Sequence, residues 1–277
     1  MIDLIDVPIF FILSGYLSRK QFLKLYAYKK IKQLLIPFLW FTSLKLVCNL
    51  LLGSFSHSQN VMEEIGVAFI NGDYYWFSYC LIIMMIIIPI FWNMKKERVF
   101  CIWGIVIVLY LIASFSVLFA LGGGPFQIIN VLRYMPWFLG GYTLKIFGFP
   151  KESKLAHFTI LCISVICCFG GIVLCWKGLM NYHINELLLS SSVFYILFSI
   201  FMKQERKIGV LILISKYSYQ IFFLDSFIKI VLFIVVEKFT TISAIMIVPI
   251  VGLNIFISVV ICMIISKTKY LKILFGL

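Results

Sequence analysis

Apolar runs of about 20 residues, separated by short polar gaps, follow one another along the whole chain. A helix that crosses about 30 Å of hydrocarbon needs roughly 20 mostly apolar residues. The runs are too long for barrel strands and lack their strict alternation, so helices are favoured. We therefore predict one all-α domain over residues 1–277, a polytopic integral-membrane helix bundle of about nine spans. The predicted spans are 2–17, 34–52, 75–92, 99–121, 128–147, 157–176, 184–202, 213–236 and 244–266.

The composition agrees with a membrane protein. Hydrophobic residues make up 63% of the chain and charged residues 13%, with a mean hydropathy of +1.08. A water-soluble protein of 277 residues cannot bury that much apolar surface. A secretory signal peptide at residues 1–17 is disfavoured, because Asp3 and Asp6 stand where such a peptide carries positive charge.

The net charge of +13 is distributed unevenly between the gaps. If the nine spans alternate in direction, the gaps on one face and the tail hold 18 Lys and Arg, whereas the opposite gaps hold only Lys177 and Lys238. Positive residues collect on the cytoplasmic side of membrane proteins, so we predict a multi-pass membrane protein with a cytoplasmic C-terminus. Because the basic residues are spread over five segments, a nucleic-acid partner is not expected; the partner is the lipid bilayer.

The same topology places the N-terminus outside, after a short span led by two acidic residues. That is a poor start for a membrane protein, because no positive segment precedes the span. Charge topology alone therefore predicts that one more span precedes residue 1 in the complete protein.

The cysteines and histidines do not form a metal-ligand pattern. All eight Cys fall within predicted spans, without a CxxC pair or a Cys/His cluster, so we expect buried structural thiols and no metal. His57 and His183 lie in predicted outer loops and His157 at a cytoplasmic boundary. A lone loop histidine is more often solvated than catalytic.

Ionisable residues inside spans are costly in hydrocarbon, so each is a candidate for function. Lys45 lies mid-span, where snorkelling and function are both open. Arg133 lies too deep to be interfacial and is expected to line a cavity or pair with an acid. Glu186 opens the seventh span, where an interfacial position is favoured. Asp225 and Lys229, spaced i,i+4, form either a neutralising pair or a functional one.

Four stretches together match the pattern of one family. The most specific is VPIFFILSGYL at 7–17, followed by a basic segment that ends YKKIKQLLIPFLW at 28–40. The others are YWF at 75–77, MPWFLGGY at 135–142 and ISKYSYQIFFLD at 214–225. In these stretches the chain resembles the acyltransferase 3 family of integral-membrane bacterial O-acyltransferases, and the likeness runs along essentially its whole length.

This resemblance implies a ten-span enzyme of the bacterial inner membrane with no bound cofactor. Such an enzyme takes an acyl group, usually acetyl from cytoplasmic acetyl-CoA, and passes it to a hydroxyl of a cell-surface polysaccharide or its lipid-linked precursor. The chemistry needs a base for the hydroxyl and stabilisation of charge at the thioester oxygen. Lys30, with Lys29 and Lys32, is expected to contact the phosphates of coenzyme A, although positive-inside topology accounts for these charges equally well.

The same resemblance gives the other candidate site residues. Arg133 is the candidate for the acceptor or the thioester oxygen, and Ser14 for a hydrogen-bonding or close-packed position. Trp76, Asp225 and Glu186 are expected to line the substrate site, with an interfacial-belt role as the alternative for Trp76.

The chain departs from the family pattern in three places. The family's first span carries an Arg and a His, the His being its catalytic base, and this chain begins just after that span. The family's Arg-x-x-Arg motif aligns with Lys30 and Gln33 of this chain, and Asp225 stands where the family often has His. We therefore expect a truncated, mis-started or degenerate copy, for which a polysaccharide transporter or flippase and a non-catalytic membrane partner are the alternative functions.

Overall fold

The computed structural model describes residues 3–18, 23–52, 60–114, 125–147, 154–176, 182–202, 217–225, 227–228, 232 and 247–276. Within these ranges all regular structure is helical, which confirms the all-α part of the predicted fold class. The α-helices are α1 (Asp3–Leu17), α2 (Leu23–Lys30), α3 (Ile36–Leu52), α4 (Val61–Ile65), α5 (Trp76–Ile87), α6 (Lys96–Ser114), α7 (Ile128–Phe147), α8 (Lys154–Trp176), α9 (Tyr182–Met202), α10 (217–225), α11 (Ile247–Ile265) and α12 (Lys269–Leu274).

Several helices follow the predicted spans closely. The bounds of α7 coincide with the predicted span 128–147, and α8 and α9 begin within three residues of theirs. In the described part of the chain, three helical stretches are long and apolar enough to cross a membrane: Tyr28–Leu50, Asp73–Asn93 and Lys96–Ser114. Half of the predicted span 213–236 lies outside the described residues, and the count of nine spans stays a prediction.

Two segments predicted as loops contain helix instead. In the basic segment 18–33, α2 continues through a π-helical turn, Ile31–Leu35, into α3. In the segment 53–74, α4 is followed by a second π-helical turn, Gly66–Asn71. The loop prediction was wrong here because it relied on hydropathy, which identifies only apolar stretches. Leu, Lys, Met and Glu all favour the helix, so a polar segment that is rich in them can be helical without being a membrane span.

Contacts divide the chain into two compact units. The first unit contains Met1–Leu23 and Tyr79–Glu205, and the second contains Lys24–Ser78 and Arg206–Leu277. Each unit therefore joins pieces that are distant in sequence, and each is described below by itself.

The first unit is built around a close crossing of α1 and α7. A Cβ atom added to Gly15 would meet the carbonyl oxygen of Phe138 at 1.9 Å, and one added to Gly141 would meet that of Ile12 at 1.8 Å. Small residues let two helix backbones approach in this way, which is how membrane helices associate where no hydrophobic driving force acts between them. The SGY and GGY motifs are thus the two sides of one helix crossing.

Polar contacts join other helices of the first unit. The indole Nε1 of Trp103 on α6 donates to the carbonyl oxygen of Pro136 on α7 at 3.0 Å. The ammonium group of Lys145 on α7 donates to the carbonyl oxygen of Ser18, at the C-terminal end of α1. A cation is stabilised at such a helix end by the unpaired backbone carbonyls there.

The second unit has an aromatic core. Phe223 of α10 stacks on Phe41 of α3 with ring centroids 4.9 Å apart, and Phe275 meets Phe41 edge-on at 4.9 Å. Tyr75 and Tyr219 pack edge-on against Phe223 at 4.8 and 4.9 Å. Stacked and edge-on pairs are the preferred arrangements of aromatic rings, so this cluster holds α3, α10 and the C-terminal segment together.

Candidate functional site

A buried ion pair joins α7 and α9 in the first unit. The guanidinium group of Arg133 donates to Oε2 of Glu186 from Nε at 3.1 Å and from Nη2 at 2.9 Å. The Glu186 side chain is fully buried and that of Arg133 is 14% exposed. A buried charge requires a partner of opposite sign, so each of these side chains accounts for the presence of the other.

A third helix contributes to the same carboxylate. The hydroxyl of Tyr110 on α6, itself buried, donates to Oε2 of Glu186 at 3.2 Å. The Arg133 guanidinium lies 5.2 Å from the ring centre of Tyr134, and that ring stacks on Phe11 of α1 at 5.1 Å. Four helices therefore fix the position of this cation and its acid.

The structure decides between alternatives left open for these two residues. Of the two positions expected for Arg133, lining a cavity or pairing with an acid, the second is observed, and the acid is Glu186. Glu186, for which an interfacial position was favoured, has its side chain enclosed by protein, and its depth in the membrane stays a prediction. Hydropathy gives the depth of a residue in a span but not the direction in which its side chain points.

A cation fixed in this way can do chemistry that a mobile one does poorly. Negative charge that develops on a reacting oxygen is stabilised best by donors that are already oriented and removed from water. Arginine suits this role because its planar group stays charged even when buried. The arrangement therefore provides a pre-oriented positive group for an oxygen, whether it belongs to a carbonyl or to a sugar.

Ser14 lies on the helix that packs against α7. Its side chain is half-buried, and the residue after it, Gly15, makes the close backbone approach to Phe138. The close-packed interpretation of the Ser14-Gly15 motif therefore has a geometric basis at Gly15, and a hydrogen-bonding role for Ser14 stays a prediction.

Two of the expected lining residues belong to the second unit. Trp76 is half-buried, with its ring edge-on to Phe77 at 6.1 Å. Asp225 is half-buried and accepts a hydrogen bond from Nδ2 of Asn254, a buried residue on α11. Lys229, its expected partner, lies outside the described residues.

The three lysines expected at coenzyme A lie around the junction of α2 and α3. Lys29 is exposed, Lys30 is half-buried with its ammonium 5.7 Å from the ring centre of Tyr26, and Lys32 is half-buried. Burial raises the pKa of Tyr26, so its hydroxyl stays protonated at neutral pH and does not form a competing anion. Their role in donor binding stays a prediction.

A second polar cluster, which the sequence did not indicate, includes a residue of α4. Glu64 on α4 is fully buried and accepts a hydrogen bond from the hydroxyl of Tyr74, which in turn accepts one from Asn49 at 2.9 Å. The ammonium of Lys45 lies 4.9 Å from the ring centre of Tyr74 and 5.4 Å from that of Tyr75. The ammonium of Lys45 therefore lies over aromatic rings. The sequence offers one signal for this cluster, two adjacent Glu residues in a segment predicted as a long loop, and that signal is not specific.

The described cysteines are free thiols, but not all are buried. Cys80 and Cys262 are buried as expected, whereas Cys101 and Cys162 are exposed on the outer faces of α6 and α8. The prediction of burial was wrong for these two, because a place within an apolar stretch does not fix the side of the helix on which a residue lies. No three His, Cys, Asp or Glu side chains are grouped for a metal ion within the described residues. His57 lies outside them, and the side chains of the other two His are not described.

Comparison with known proteins identifies one family. The family model described as an acyltransferase domain matches residues 1–267 of the 277. No curated protein and no solved structure matches the chain.

Proposed function

This chain belongs to the acyltransferase 3 family, and from that premise we propose that it is a membrane O-acyltransferase. It transfers an acyl group, in the proposal acetyl, from cytoplasmic acyl-CoA to a hydroxyl of a cell-surface polysaccharide or of its lipid-linked precursor. The observation that carries the proposal is the family match along residues 1–267. The long apolar helices and the family make the chain a membrane protein, and the one-sided basic gaps support an inner-membrane position with a cytoplasmic C-terminus.

The reaction joins the hydroxyl oxygen of the acceptor to the acyl carbon and breaks the carbon–sulfur bond of the thioester. The hydroxyl proton passes to a base, and the coenzyme A thiolate takes up a proton on leaving. Negative charge develops on the acyl oxygen during the attack. We assign the stabilisation of that charge, or the orientation of the acceptor, to Arg133, and we assign to Glu186 and Tyr110 the fixing of its guanidinium group.

The donor side of the proposal rests on the basic segment. Lys29, Lys30 and Lys32 supply the positive charge that the phosphates of coenzyme A need, on the face where the positive-inside pattern places the cytoplasm. Trp76 and Asp225 are proposed to line the acceptor path. The resemblance assigns the base to a histidine of the family's first span.

The proposal is tested in cells that lack the gene, with the complete gene, its Arg133→Met variant or no gene supplied on a plasmid. Surface glycan is isolated and its base-labile acyl esters are measured by mass spectrometry. We expect esters with the full chain, none without it, and at least a tenfold decrease with Arg133→Met. Arg98→Met is the matched control, since Arg98 is exposed at the start of α6. Glycan that is the same with and without the chain would refute acyl transfer.

A further inference from the structure

The short helix α12 lies in the second unit, directly after the last predicted span. α11 ends at Ile265, where the predicted span 244–266 also ends. The backbone N–H groups of the turn 266–268 donate to carbonyl oxygens in the last turn of α11, so the turn is closed tightly onto that helix. α12 therefore begins where the chain leaves the predicted span, and the turn fixes its first residues there.

The other end of α12 is fixed at the start of a second predicted span. The carbonyl oxygen of Phe275 accepts a hydrogen bond from Nε2 of Gln220 at 2.9 Å. Gly276 has a φ of 68°, and a Cβ added to it would lie 2.6 Å from the carbonyl oxygen of Gln33. Gln33 directly precedes the predicted span 34–52, and the charge pattern places that end and the C-terminal tail on the same face. α12 therefore runs along this face of the membrane instead of across the bilayer.

α12 is amphipathic, with an apolar side and a basic side. At about 100° per residue, the apolar residues of α12 fall within an arc of about 160°, and Lys272 lies in the middle of the remaining arc. The apolar residues are Tyr270, Leu271, Ile273 and Leu274. Tyr270 is 79% exposed, and Leu271 and Ile273 are exposed as well. An exposed apolar arc opposite a basic one is typical of a helix that lies in the membrane interface.

The exposed apolar surface of α12 continues the exposed apolar surface of α11. Phe256, Val260, Met263 and Ile264 are exposed and recur at helical spacing, so they lie on one face of α11. In a membrane protein such a face contacts the lipid chains, which are as apolar as leucine. Because only the turn 266–268 separates the two helices, the lipid that covers α11 also reaches the apolar arc of α12. A water-soluble anion such as coenzyme A does not cover that arc.

The charge at this boundary selects the kind of lipid. Lys267 and Lys272 are exposed, and no Asp or Glu follows Glu237 in the chain. Anionic phospholipids give the cytoplasmic leaflet a negative surface potential, which attracts lysines near the membrane surface. The apolar arc thus requires a bilayer, and the two lysines favour the anionic lipids within it.

We propose that α12 is an interfacial helix that binds anionic phospholipids. Tyr270, Leu271 and Ile273 lie at the boundary of the acyl chains, and Lys267 and Lys272 contact the headgroup phosphates. This lipid site belongs to the face that carries the C-terminus, and it does not depend on acyl transfer.

The test uses the protein expressed from the complete gene, purified and placed in nanodiscs of phosphatidylcholine. A minor share of the lipid is a photoreactive probe, either phosphatidylglycerol or phosphatidylcholine, with a diazirine near the headgroup in both cases. Labelled segments are mapped by proteolysis and mass spectrometry. We expect the phosphatidylglycerol probe to label residues 267–274 at least fivefold more than the phosphatidylcholine probe, because each lysine near an anionic surface contributes a preference of about fivefold.

Three double variants separate charge from apolar contact, and all of them change exposed side chains. Lys267→Gln/Lys272→Gln is expected to lower labelling by phosphatidylglycerol to the phosphatidylcholine level and to leave labelling by phosphatidylcholine unchanged. Lys95→Gln/Lys96→Gln is the matched control, because it removes two exposed lysines from another gap on the same predicted face, and no change is expected. Tyr270→Ser/Ile273→Ser keeps the lysines and is expected to lower labelling by both probes.

Equal labelling of residues 267–274 by the two probes overturns the inference, and so does a phosphatidylglycerol preference that persists in Lys267→Gln/Lys272→Gln. If both probes label α11 but neither labels residues 267–274, α12 lies away from the bilayer, as expected of a surface that binds a soluble protein. That result overturns the inference as well.

Discussion

The ion pair between Arg133 and Glu186 predicts a strong and non-additive response to mutation. The closest atoms of the two groups are 2.9 Å apart. At an effective dielectric constant of 20, two unit charges at that distance attract each other by about 6 kcal/mol, a gross value from which the cost of removing both groups from water is subtracted. Removing one partner leaves the other charge buried and unpaired, which typically costs about 3–5 kcal/mol.

We therefore predict that Arg133→Met and Glu186→Gln each lower the free energy of unfolding by about 3 kcal/mol. The double variant buries no charge at this position, so it loses less than the sum of the single losses. The expected coupling energy is at least about 2 kcal/mol, well above the value for independent sites. The measurement is reversible unfolding of the full chain in mixed micelles, followed by circular dichroism.

Arg98→Met is the control for loss of a cation, because the Arg98 side chain is exposed at the start of α6. It is expected to change the free energy of unfolding by less than about 0.5 kcal/mol. Single losses that add to the double loss within about 0.5 kcal/mol would show that the two residues do not interact, and the geometry of the site would be refuted.

Four further substitutions test other parts of the structure. Gly15→Ala and Gly141→Ala insert a methyl group into the backbone of the facing helix, so each is expected to lower the apparent Tm by several degrees, whereas Gly104→Ala, with nothing within 4 Å, is neutral or stabilising; equal Tm values for all three would contradict the close crossing. Tyr110→Phe removes one donor from Glu186 and is expected to cost about 1 kcal/mol of unfolding free energy, and a cost that persists in the Glu186→Leu background, which has no acceptor, would contradict the contact. Tyr74→Phe removes a donor from buried Glu64 and is expected to cost about 2 kcal/mol in the same unfolding assay, and no change would contradict the second polar cluster.

The sequence predicts the helices of this protein better than the contacts between them. Hydropathy placed the bounds of α7 because apolar length is a property of consecutive residues. It missed α2 and α4, whose residues are polar enough to be read as loop although they form helices well. The family-like SGY and GGY motifs were visible in the sequence, but their mutual contact was not, because it depends on how α1 and α7 are rotated.

The candidate site shows the same limit. Arg133 was recognised because a cation deep in a span is costly, and Glu186 because it opens the next span but one. Their pairing joins residues that are 53 positions apart, and the participation of Tyr110 depends on a third helix. Such pairings follow from the side on which each helix presents its polar residue, and no local pattern in the sequence encodes that side.

The most direct test of the account is acyl transfer in isolated membranes. Membranes that contain the full chain are supplied with acetyl-CoA labelled in the acetyl group, and the label in base-labile esters of glycan is measured by mass spectrometry. The account predicts labelled ester that requires the chain, decreases at least tenfold with Arg133→Met and persists with Arg98→Met. Labelled ester no higher than in membranes without the chain would contradict it.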